Sequence, residues 1–339
     1  MLVRAITATA AALISLTVSP LAQDWPNRSV RIVSPFAAGS ASDIVGNIIA
    51  ENLSKQFNHR FLVENEAGRG GQLGSVAVAR AAPDGYTFLL PSLATHVFSA
   101  LVARSFNPVA DFTNVAFIGG PPVVLAVHPS LNVHSLSELT AVLRKRREPW
   151  RYVSSGIGTL GHLLGEYWAQ KEGLRLAHGR HDGPGQSTDD LIAGRVPIGS
   201  ISATTALLRR RELILLAVSS ARRLPELDGV PTFRELGYPD LVATNWYGVS
   251  APRRLPVSIA TRMSEAIAVV IDDRMVQERF TTFGFELDKK SPEEFSAFVR
   301  AEVIRWAPLL KGSINPKQER KQEQKQERKQ ERRASGIPI

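Results

Sequence analysis

The chain has 339 residues, 44% of them hydrophobic, so it can bury one large core or two smaller ones. It contains no cysteine, which excludes disulfides, thiol catalysis, zinc–thiolate sites and lipidation at a cysteine. The net charge is +9, of which residues 317–333 supply +4 and Arg4 one more. The remaining +4 on the body of the chain favours anionic solutes and does not predict nucleic-acid binding.

The N-terminus is typical of a secretion signal. Arg4 precedes the uncharged apolar stretch Ala5–Val18, which is shorter than the roughly 20 residues that a membrane-spanning helix needs. We therefore expect residues 1–22 to be a signal peptide and the protein to be periplasmic; an uncleaved anchor or a cytoplasmic chain is the alternative. A cut after Ala22 places Pro20 at the −3 position, so the cleavage site stays open. No later segment is long and apolar enough to cross a bilayer.

Alternating strand and helix patterns follow one another along the chain and predict mainly parallel α/β sheets. The predicted strands are Val30–Val33, Phe61–Val63, Tyr86–Leu90, Val123–Val127, Tyr152–Val153, Leu174–Ala177, Val196–Ile201, Ile214–Val218 and Trp246–Ser250. Helices are predicted over 43–57, 73–81, 136–147, 160–171, 258–274 and 292–310. Ser40 or Ser42 is the expected N-cap of the first helix, and the spacings Ser135–Glu138 and Ser291–Glu294 predict capping boxes.

Two loops share one form, a strand followed by small residues and a helix start. They are Pro35–Asp43 and Ser154–Thr159. Small residues allow a ligand to approach the backbone, and the free amides of a helix start favour an anion. Such loops lie at the carboxyl edge of a sheet, where ligands of α/β proteins bind. The alternative is that both are merely tight turns, and Asp43 suits the helix dipole without meeting a ligand.

The patterns that would indicate an enzyme are weak. There is no G-x-S-x-G elbow and no Walker motif, and no nucleophile–base pair can be assigned. Gly68–Gly74 nearly matches a dinucleotide fingerprint, but Leu73 replaces the last glycine, which favours a tight turn. His178 and His181 lack a third metal ligand. We expect no catalysis, no metal and no cofactor.

Two charged features stand apart from these motifs. Arg144–Arg147 and Arg209–Arg211 suit the C-termini of helices, and an anion or partner patch is the alternative. Lys317–Arg332 consists of four near-copies of Lys-Gln-Glu-Arg without an apolar residue, which predicts disorder or a solvated helix. An interaction tail is the alternative there, and we expect truncation at Gly312 to leave ligand affinity unchanged.

A series of motifs resembles one known family, the periplasmic receptors of tripartite tricarboxylate transporters, often called Bug receptors. The matching stretches are Trp25-Pro26-Asn27, Pro35-Phe36 with Gly39 and Asp43, Val63-Glu64-Asn65 with Gly68, Gly70 and Gly71, Ala82–Thr87, Tyr152–Gly158 with Thr159 and His162, and Trp246-Tyr247-Gly248 with Ala251-Pro252. Their order and spacing cover about residues 23–312.

The resemblance implies a type II periplasmic-binding fold in which crossing strands join two α/β lobes around a ligand cleft. Residues 23–124 and 247–312 would form a discontinuous first lobe, residues 125–246 the second, and residues 313–339 the repeat tail. Val123–Val127 and Trp246–Ser250 would be the hinge strands.

The resemblance also implies a ligand site between the two loops, where amides, hydroxyls and waters bind a carboxylate. The candidate ligand-binding residues are Phe36, Ala38, Gly39, Ser40, His96, Ser154, Ser155, Gly156, Gly158, Thr159, Ile201 and Ser202. Ser40 and Ser42 replace a glycine and a threonine of the family and keep donor capacity. Ile201 stands where amino-acid-binding members carry an aspartate, so we expect a ligand without an ammonium group. The effect of Arg180-His181-Asp182 on the pocket is open.

The function implied is capture of a small carboxylate by hinge closure, by a monomer that delivers it to the membrane subunits of a transporter and binds no nucleic acid. The alternative is a sensory receptor with the same pocket that signals to a membrane kinase. A periplasmic hydrolase is a third class, which lacks an assignable triad.

Overall fold

The computed structural model describes residues 25–179 and 184–313, which form two mixed β-sheets covered by helices. The strands are β1 (Val30–Ser34), β2 (Phe61–Asn65), β3 (Thr87–Leu89), β4 (Phe112–Gly120), β5 (Val123–Val127), β6 (Trp150–Val153), β7 (Leu176–His178), β8 (Ile198–Ser202), β9 (Ile214–Val218), β10 (Tyr247–Pro252) and β11 (Glu286–Leu287). The helices are α1 (Ala41–Phe57), α2 (Gln72–Ala79), α3 (Ala100–Ala103), α4 (Leu136–Arg144), α5 (Leu160–Glu172), α6 (Pro184–Ile192), α7 (Ala203–Arg209), α8 (Val257–Asp272), α9 (Arg274–Thr281) and α10 (Pro292–Ser313). A π-helix, Ala94–Ser99, precedes α3.

The first sheet has the strand order β11-β4-β10-β3-β1-β2. β1 pairs in parallel with both β2 and β3, while β10 runs antiparallel to β3 and β4. The strand β1 is almost entirely buried and has three aliphatic side chains, Val30, Ile32 and Val33, as expected for the interior of a sheet with helices on both faces. We call the part of the molecule built around this sheet the first lobe.

The second sheet has the order β7-β6-β8-β5-β9. β6 pairs in parallel with β7 and β8, and β5 runs antiparallel to β8 and β9. We call the part built around it the second lobe. The fold is therefore the two-lobe α/β architecture that the motif series implied.

The chain crosses between the sheets twice in the described residues. Pro121-Pro122 separates β4 in the first sheet from β5 in the second, and the segment after β9 leads back to β10 in the first. The expected hinge strand Val123–Val127 is thus β5, and Trp246–Ser250 corresponds to the start of β10 with the residue before it. The division of the chain into 23–124, 125–246 and 247–312 stays a prediction.

The helix α10 connects the two lobes through a buried carboxylate. Glu302 is 5% exposed, and its Oε2 accepts hydrogen bonds from Nε1 of Trp246 at 3.3 Å and of Trp306 at 3.0 Å. Arg305 adds a charge-assisted contact to Glu302 Oε1 at 3.3 Å and also donates to the carbonyl of Val242. Because Trp246 stands at the return crossing, these bonds fix α10 to the point where the lobes join.

The N-terminal caps of the helices can be compared with those that the sequence predicts. Ser40 caps α1 by accepting a hydrogen bond from the amide of Asp43, whereas Ser42 is buried against Ser34. The Ser291–Glu294 capping box is confirmed, since each residue's side chain accepts the amide of the other. At Ser135 the hydroxyl accepts the Glu138 amide, but the Glu138 carboxylate accepts the amide of His134, so only the N-cap half of that box is formed. The run Gly68–Gly71 forms a tight turn with positive φ at every position. Among the described residues no helix is both long and apolar enough to span a membrane, and the tail 317–332 and residues 1–22 lie outside them.

Candidate functional site

Both candidate loops lie at carboxyl ends of parallel strands. The first connects β1 to α1 and the second connects β6 to α5. β1 lies between β2 and β3, and β6 between β7 and β8, so each loop emerges from the interior of its sheet's parallel part. This is the edge at which open α/β sheets bind ligands.

The first loop is fixed by one carboxylate and one amide side chain. Asp43 Oδ2 accepts the amide of Gly39 at 2.8 Å, and Asp43 Oδ1 accepts Asn65 Nδ2 at 3.0 Å. Asn65 Nδ2 also donates to the carbonyl of Phe36 at 3.1 Å. The hydrogen bond from the Gly39 amide lowers the pKa of Asp43; burial opposes it, and the smaller contributions of Asn65 and Asn47 also lower it. Asp43 therefore acts as an ionised brace for the loop.

The contacts of Asp43 leave backbone amides free to donate hydrogen bonds at the apex of the loop. Ala37, Ala38 and Gly39 are exposed. The Gly39 amide is engaged by Asp43, but within residues 25–179 and 184–313 the amides of Ala37 and Ala38 have no hydrogen-bond acceptor. Two unpaired amides on a rigid loop before a helix start are suited to an anion. Of the predicted residues, Ala38 is thus free to donate, and Gly39 shapes the turn with φ +79°.

The second loop is closed by bonds within it. Ser154 Oγ accepts the amide of Gly156 at 3.2 Å, and Thr159 Oγ1 donates to the Gly156 carbonyl at 2.7 Å. Ser154 is buried and Thr159 half-buried, whereas Ser155 is exposed. Of the three hydroxyls predicted here, that of Ser155 is the one offered to solvent.

Two imidazole rings hold this second loop by hydrogen bonds to its residues. His178 Nε2 lies 2.8 Å from Ser154 Oγ, and His162 Nδ1 accepts the amide of Gly158 at 3.3 Å. The two rings are 4.8 Å apart, centroid to centroid, at 76°. Burial lowers the pKa of His162 to about 4, so its ring is neutral at pH 7 and can accept. Behind them, Tyr152 donates to Glu166 Oε1 at 2.8 Å.

Sequence reasoning did not find the role of His178. Its position 24 residues after Ser154 becomes meaningful only because β7 pairs beside β6. The arrangement places a serine hydroxyl beside an imidazole, as nucleophile–base pairs do. Here, however, Ser154 is 1% exposed and its Oγ already accepts the Gly156 amide. The pair therefore serves to hold the loop. His181 lies outside the described residues.

The lobes touch at the second loop through Phe98 of the π-helix. Gly158 has φ +79°, and a Cβ atom there would lie 2.5 Å from Cδ1 of Phe98. Phe98 is half-buried and packs against an apolar cluster to which both lobes contribute side chains. A second contact lies at Gly284, where a Cβ atom would be 3.0 Å from Thr204 Oγ1 at the start of α7. Neither contact could be read from the sequence pattern.

His96 lies in the same π-helix but faces the interior. Its side chain is 0% exposed and packs on Phe112, with ring centroids 4.8 Å apart, and on Trp246 at 6.4 Å. Burial lowers the pKa of His96 to about 3, and neither ring nitrogen has a hydrogen-bond partner in the described part of the chain. A ligand entering from solvent would not reach this ring in the present conformation; its role in binding stays a prediction.

The last two predicted residues are at the end of β8. Ile201 is 4% exposed and packs in an apolar cluster with Val124 and Ala206. Ser202 caps α7, its Oγ accepting the amide of Thr205 at 3.1 Å. Ile201 therefore presents no oxygen to a cationic ligand, and Ser202 stands beside the Gly284 contact rather than in either loop.

A separate cavity of about 560 Å³ lies between α1 and α9. It is lined by Asp43, Ile44, Asn47, Ile48, Met275, Glu278, Arg279, Thr282 and Phe283. It shares only Asp43 with the predicted first loop. Among residues 25–179 and 184–313, no group of three His, Asp or Glu side chains could hold a metal ion.

Comparison with known proteins identifies the family of the chain. Residues 45–314 match the tripartite tricarboxylate transporter family receptor model. Protein BugT of Bordetella pertussis is 30% identical over 86% of this chain and 92% of its own.

Two solved structures share the fold over nearly their whole length. An R. palustris protein solved with adipate is 32% identical, with a TM-score of 0.72 over 85% of this chain and 98% of its own. MatC from Rhodopseudomonas palustris, with bound malate, is 26% identical, with a TM-score of 0.70 over 84% and 100%. The matching family model is that of a transporter receptor, a class of binding protein and not of enzyme. The chain therefore belongs to the tripartite tricarboxylate transporter receptor family and is a solute-binding receptor.

Proposed function

We propose that this receptor captures a small carboxylate between the Pro35–Asp43 and Ser154–Thr159 loops. The observation that carries the proposal is the pair of unpaired, exposed amides of Ala37 and Ala38 on a loop braced by Asp43. Ser155 would add a hydroxyl from the opposite lobe. The relatives solved with adipate and with malate support a carboxylate as the ligand class.

Capture would proceed by closure of the lobes about the two crossings. A ligand that contacts both loops stabilises the closed state by its differential affinity for it. The Glu302 contacts hold α10 at the return crossing. The motion of the lobes would therefore be concentrated in the chain segments that connect the two sheets. The closed receptor would then deliver its ligand to the membrane subunits of a transporter.

The proposed setting is the periplasm, reached through the signal peptide of residues 1–22, with the receptor acting as a monomer. The proposed ligand has no ammonium group. Support for this comes from Ile201, whose buried apolar side chain cannot pair with a cation.

Isothermal titration calorimetry of the full mature chain tests the proposal. We expect binding of at least one plain carboxylate from a panel that contains adipate, malate and benzoate, and weaker binding of alanine and glutamate. Ala38→Glu would place a negative charge at the free amides and should weaken binding at least about tenfold. Ala301→Glu puts the same charge on an exposed face of α10 and is the matched control. A preference for a zwitterionic amino acid over every plain carboxylate would contradict the proposal.

A further inference from the structure

One aromatic side chain of the first lobe, the half-buried Phe36, comes directly before the free amides and lies against the Gly68–Gly71 turn. Gly71 has φ +88°, and a Cβ atom there would lie 2.6 Å from Cγ2 of Thr95 and 3.3 Å from Cζ of Phe36. Ser99 Oγ donates to the Gly70 carbonyl. The turn thus lets the ring of Phe36 and the π-helix approach each other.

The π-helix also places an apolar side chain against the second lobe. Phe98 lies three residues after Thr95 and its ring rests on Gly158, so it stands between the lobes beside the second loop. A π-helical turn is rare and is frequently found at functional sites. Its effect here is to direct an aromatic side chain at the loop that supplies Ser155.

The tip of the second loop adds a third apolar side chain. Ile157 is 44% exposed between Gly156 and Gly158, although this loop consists otherwise of glycines and hydroxyl residues. An exposed isoleucine there contributes little to the core. Ile157 lies two residues after Ser155, whose hydroxyl is exposed, so an apolar side chain and a polar side chain are both presented at the tip of this loop.

We propose that this site selects carboxylates whose body is apolar, either an aliphatic chain or an aromatic ring, and rejects densely hydroxylated acids. The proposal rests on the proposed function and names its ligand class. The carboxylate is bound by the amides of Ala37 and Ala38, while Phe36, Phe98 and Ile157 cover the remainder of the ligand. Hydroxyls placed against these three side chains lose their hydrogen bonds to water without replacement, which costs binding free energy.

Matched pairs of acids test this by calorimetry with the full mature chain. Adipate and galactarate have the same length and charge and differ by four hydroxyls; benzoate and gallate differ by three. In whichever pair binds, we expect the hydroxylated acid to bind at least about tenfold more weakly. Equal or tighter binding of the hydroxylated member, or binding of malate with neither adipate nor benzoate, overturns the inference and leaves carboxylate capture intact. If no acid of the panel binds, the proposed function itself fails.

Two variants connect the selectivity to the named side chains. Ile157→Ser should reduce the preference within the binding pair by about threefold or more, because it replaces an apolar contact by a hydroxyl. Ile304→Ser is the control, since Ile304 is 74% exposed on α10, away from the loops. Phe98→Leu keeps an apolar side chain but removes the ring, and should lower the affinity for benzoate more than that for adipate. A general loss of stability would change both affinities alike, so an unchanged ratio in both Ile157→Ser and Phe98→Leu would contradict the assignment.

Discussion

The two loops of the candidate site have similar sequences, but different interactions hold them in place. The first is braced at the surface by the ionised Asp43, which accepts the Gly39 amide and Asn65. The second rests on two imidazoles beneath it, with the neutral His162 accepting the Gly158 amide. A strand–small residue–helix pattern therefore specifies where a loop lies and leaves open how it is fixed, and the two loops should respond differently to substitution and to acid.

The largest difference should come from one substitution made in both loops. Gly39 and Gly158 share φ +79°, but a Cβ atom at Gly39 has nothing within 4 Å, whereas at Gly158 it would lie 2.5 Å from the Phe98 ring. Gly39→Ala should cost about 1 kcal/mol of backbone strain. Gly158→Ala should cost about 3 kcal/mol or more, because overpacking adds to the same strain. Urea denaturation of both variants measures the difference.

If Gly158→Ala were no less stable than Gly39→Ala, Phe98 would not be held against the loop. The double variant Gly158→Ala with Phe98→Ala then supplies a check of the cause. Removing the ring should restore part of the stability lost by Gly158→Ala.

The buried imidazole of the second loop predicts a specific sensitivity to acid. The pKa of His162 is about 4 in the folded protein and about 6.5 for an exposed imidazole, so the unfolded chain takes up the proton first. The stability associated with the neutral ring is complete above pH 6.5 and is lost as the pH falls from 6.5 to 4. His162→Asn keeps an acceptor for the Gly158 amide and removes the titration, so it should lose roughly 2.5 kcal/mol less than the wild type between pH 7.5 and 4.5.

His162→Leu separates the hydrogen bond from the titration. At pH 7.5 it leaves the Gly158 amide without an acceptor and should be less stable than His162→Asn by about 1 to 3 kcal/mol. Urea denaturation at the two pH values measures both effects. Parallel pH profiles for the wild type and His162→Asn would show that His162 does not titrate in this range; His96, whose pKa burial lowers to about 3, is present in both proteins and cancels.

The brace of the first loop should show its effect in binding rather than in stability. Asp43→Asn replaces one carboxylate oxygen by an amide nitrogen, so an N–H group would face an N–H donor of Gly39 or Asn65. The looser loop should bind the ligand about fivefold more weakly, with little change in the free energy of unfolding because the brace is near the surface. Since the pKa of Asp43 is lowered, its contribution persists above pH 3.8 and is lost only below that value.

Asn47→Ala serves as the control: it removes one donor to Asp43 Oδ1 at 3.0 Å and a bond to the Asp43 carbonyl within α1, and leaves the carboxylate and its bonds to Gly39 and Asn65 in place. Its affinity should stay within about twofold of the wild type. Calorimetry with the acid that binds tightest compares the two. Equal losses in Asp43→Asn and Asn47→Ala would indicate a general surface effect and not the brace.

The sequence predicts the local parts of this molecule better than the parts made by distant contacts. The helix expected over 43–57 is α1, Ala41–Phe57, because its apolar spacing and the Ser40 cap are both local. The strand expected at Leu174–Ala177 is instead β7, Leu176–His178, since its pairing with β6 decides its bounds. Neither α9 nor the π-helix was predicted. The π-helix is bonded to Gly70 through Ser99, 29 residues away. The helix α9 has eight residues and an apolar stripe of only two buried side chains, Val276 and Phe280, which is too short a pattern to separate it from α8.

The smallest expected effect distinguishes a ligand contact from a structural one within the two loops. Ser40 Oγ caps α1, so Ser40→Ala should lower the free energy of unfolding by about 1 kcal/mol. Ser155 is exposed and makes no hydrogen bond within the described residues, so Ser155→Ala should leave stability within about 0.5 kcal/mol. If the Ser155 hydroxyl binds the ligand, that variant should still lose about threefold in affinity by calorimetry. If Ser155→Ala equalled the wild type in both stability and affinity, the Ser155 hydroxyl would not bind the ligand. The second loop would then contact the ligand only through its backbone and Ile157, and the amides of the first loop would bind the carboxylate alone.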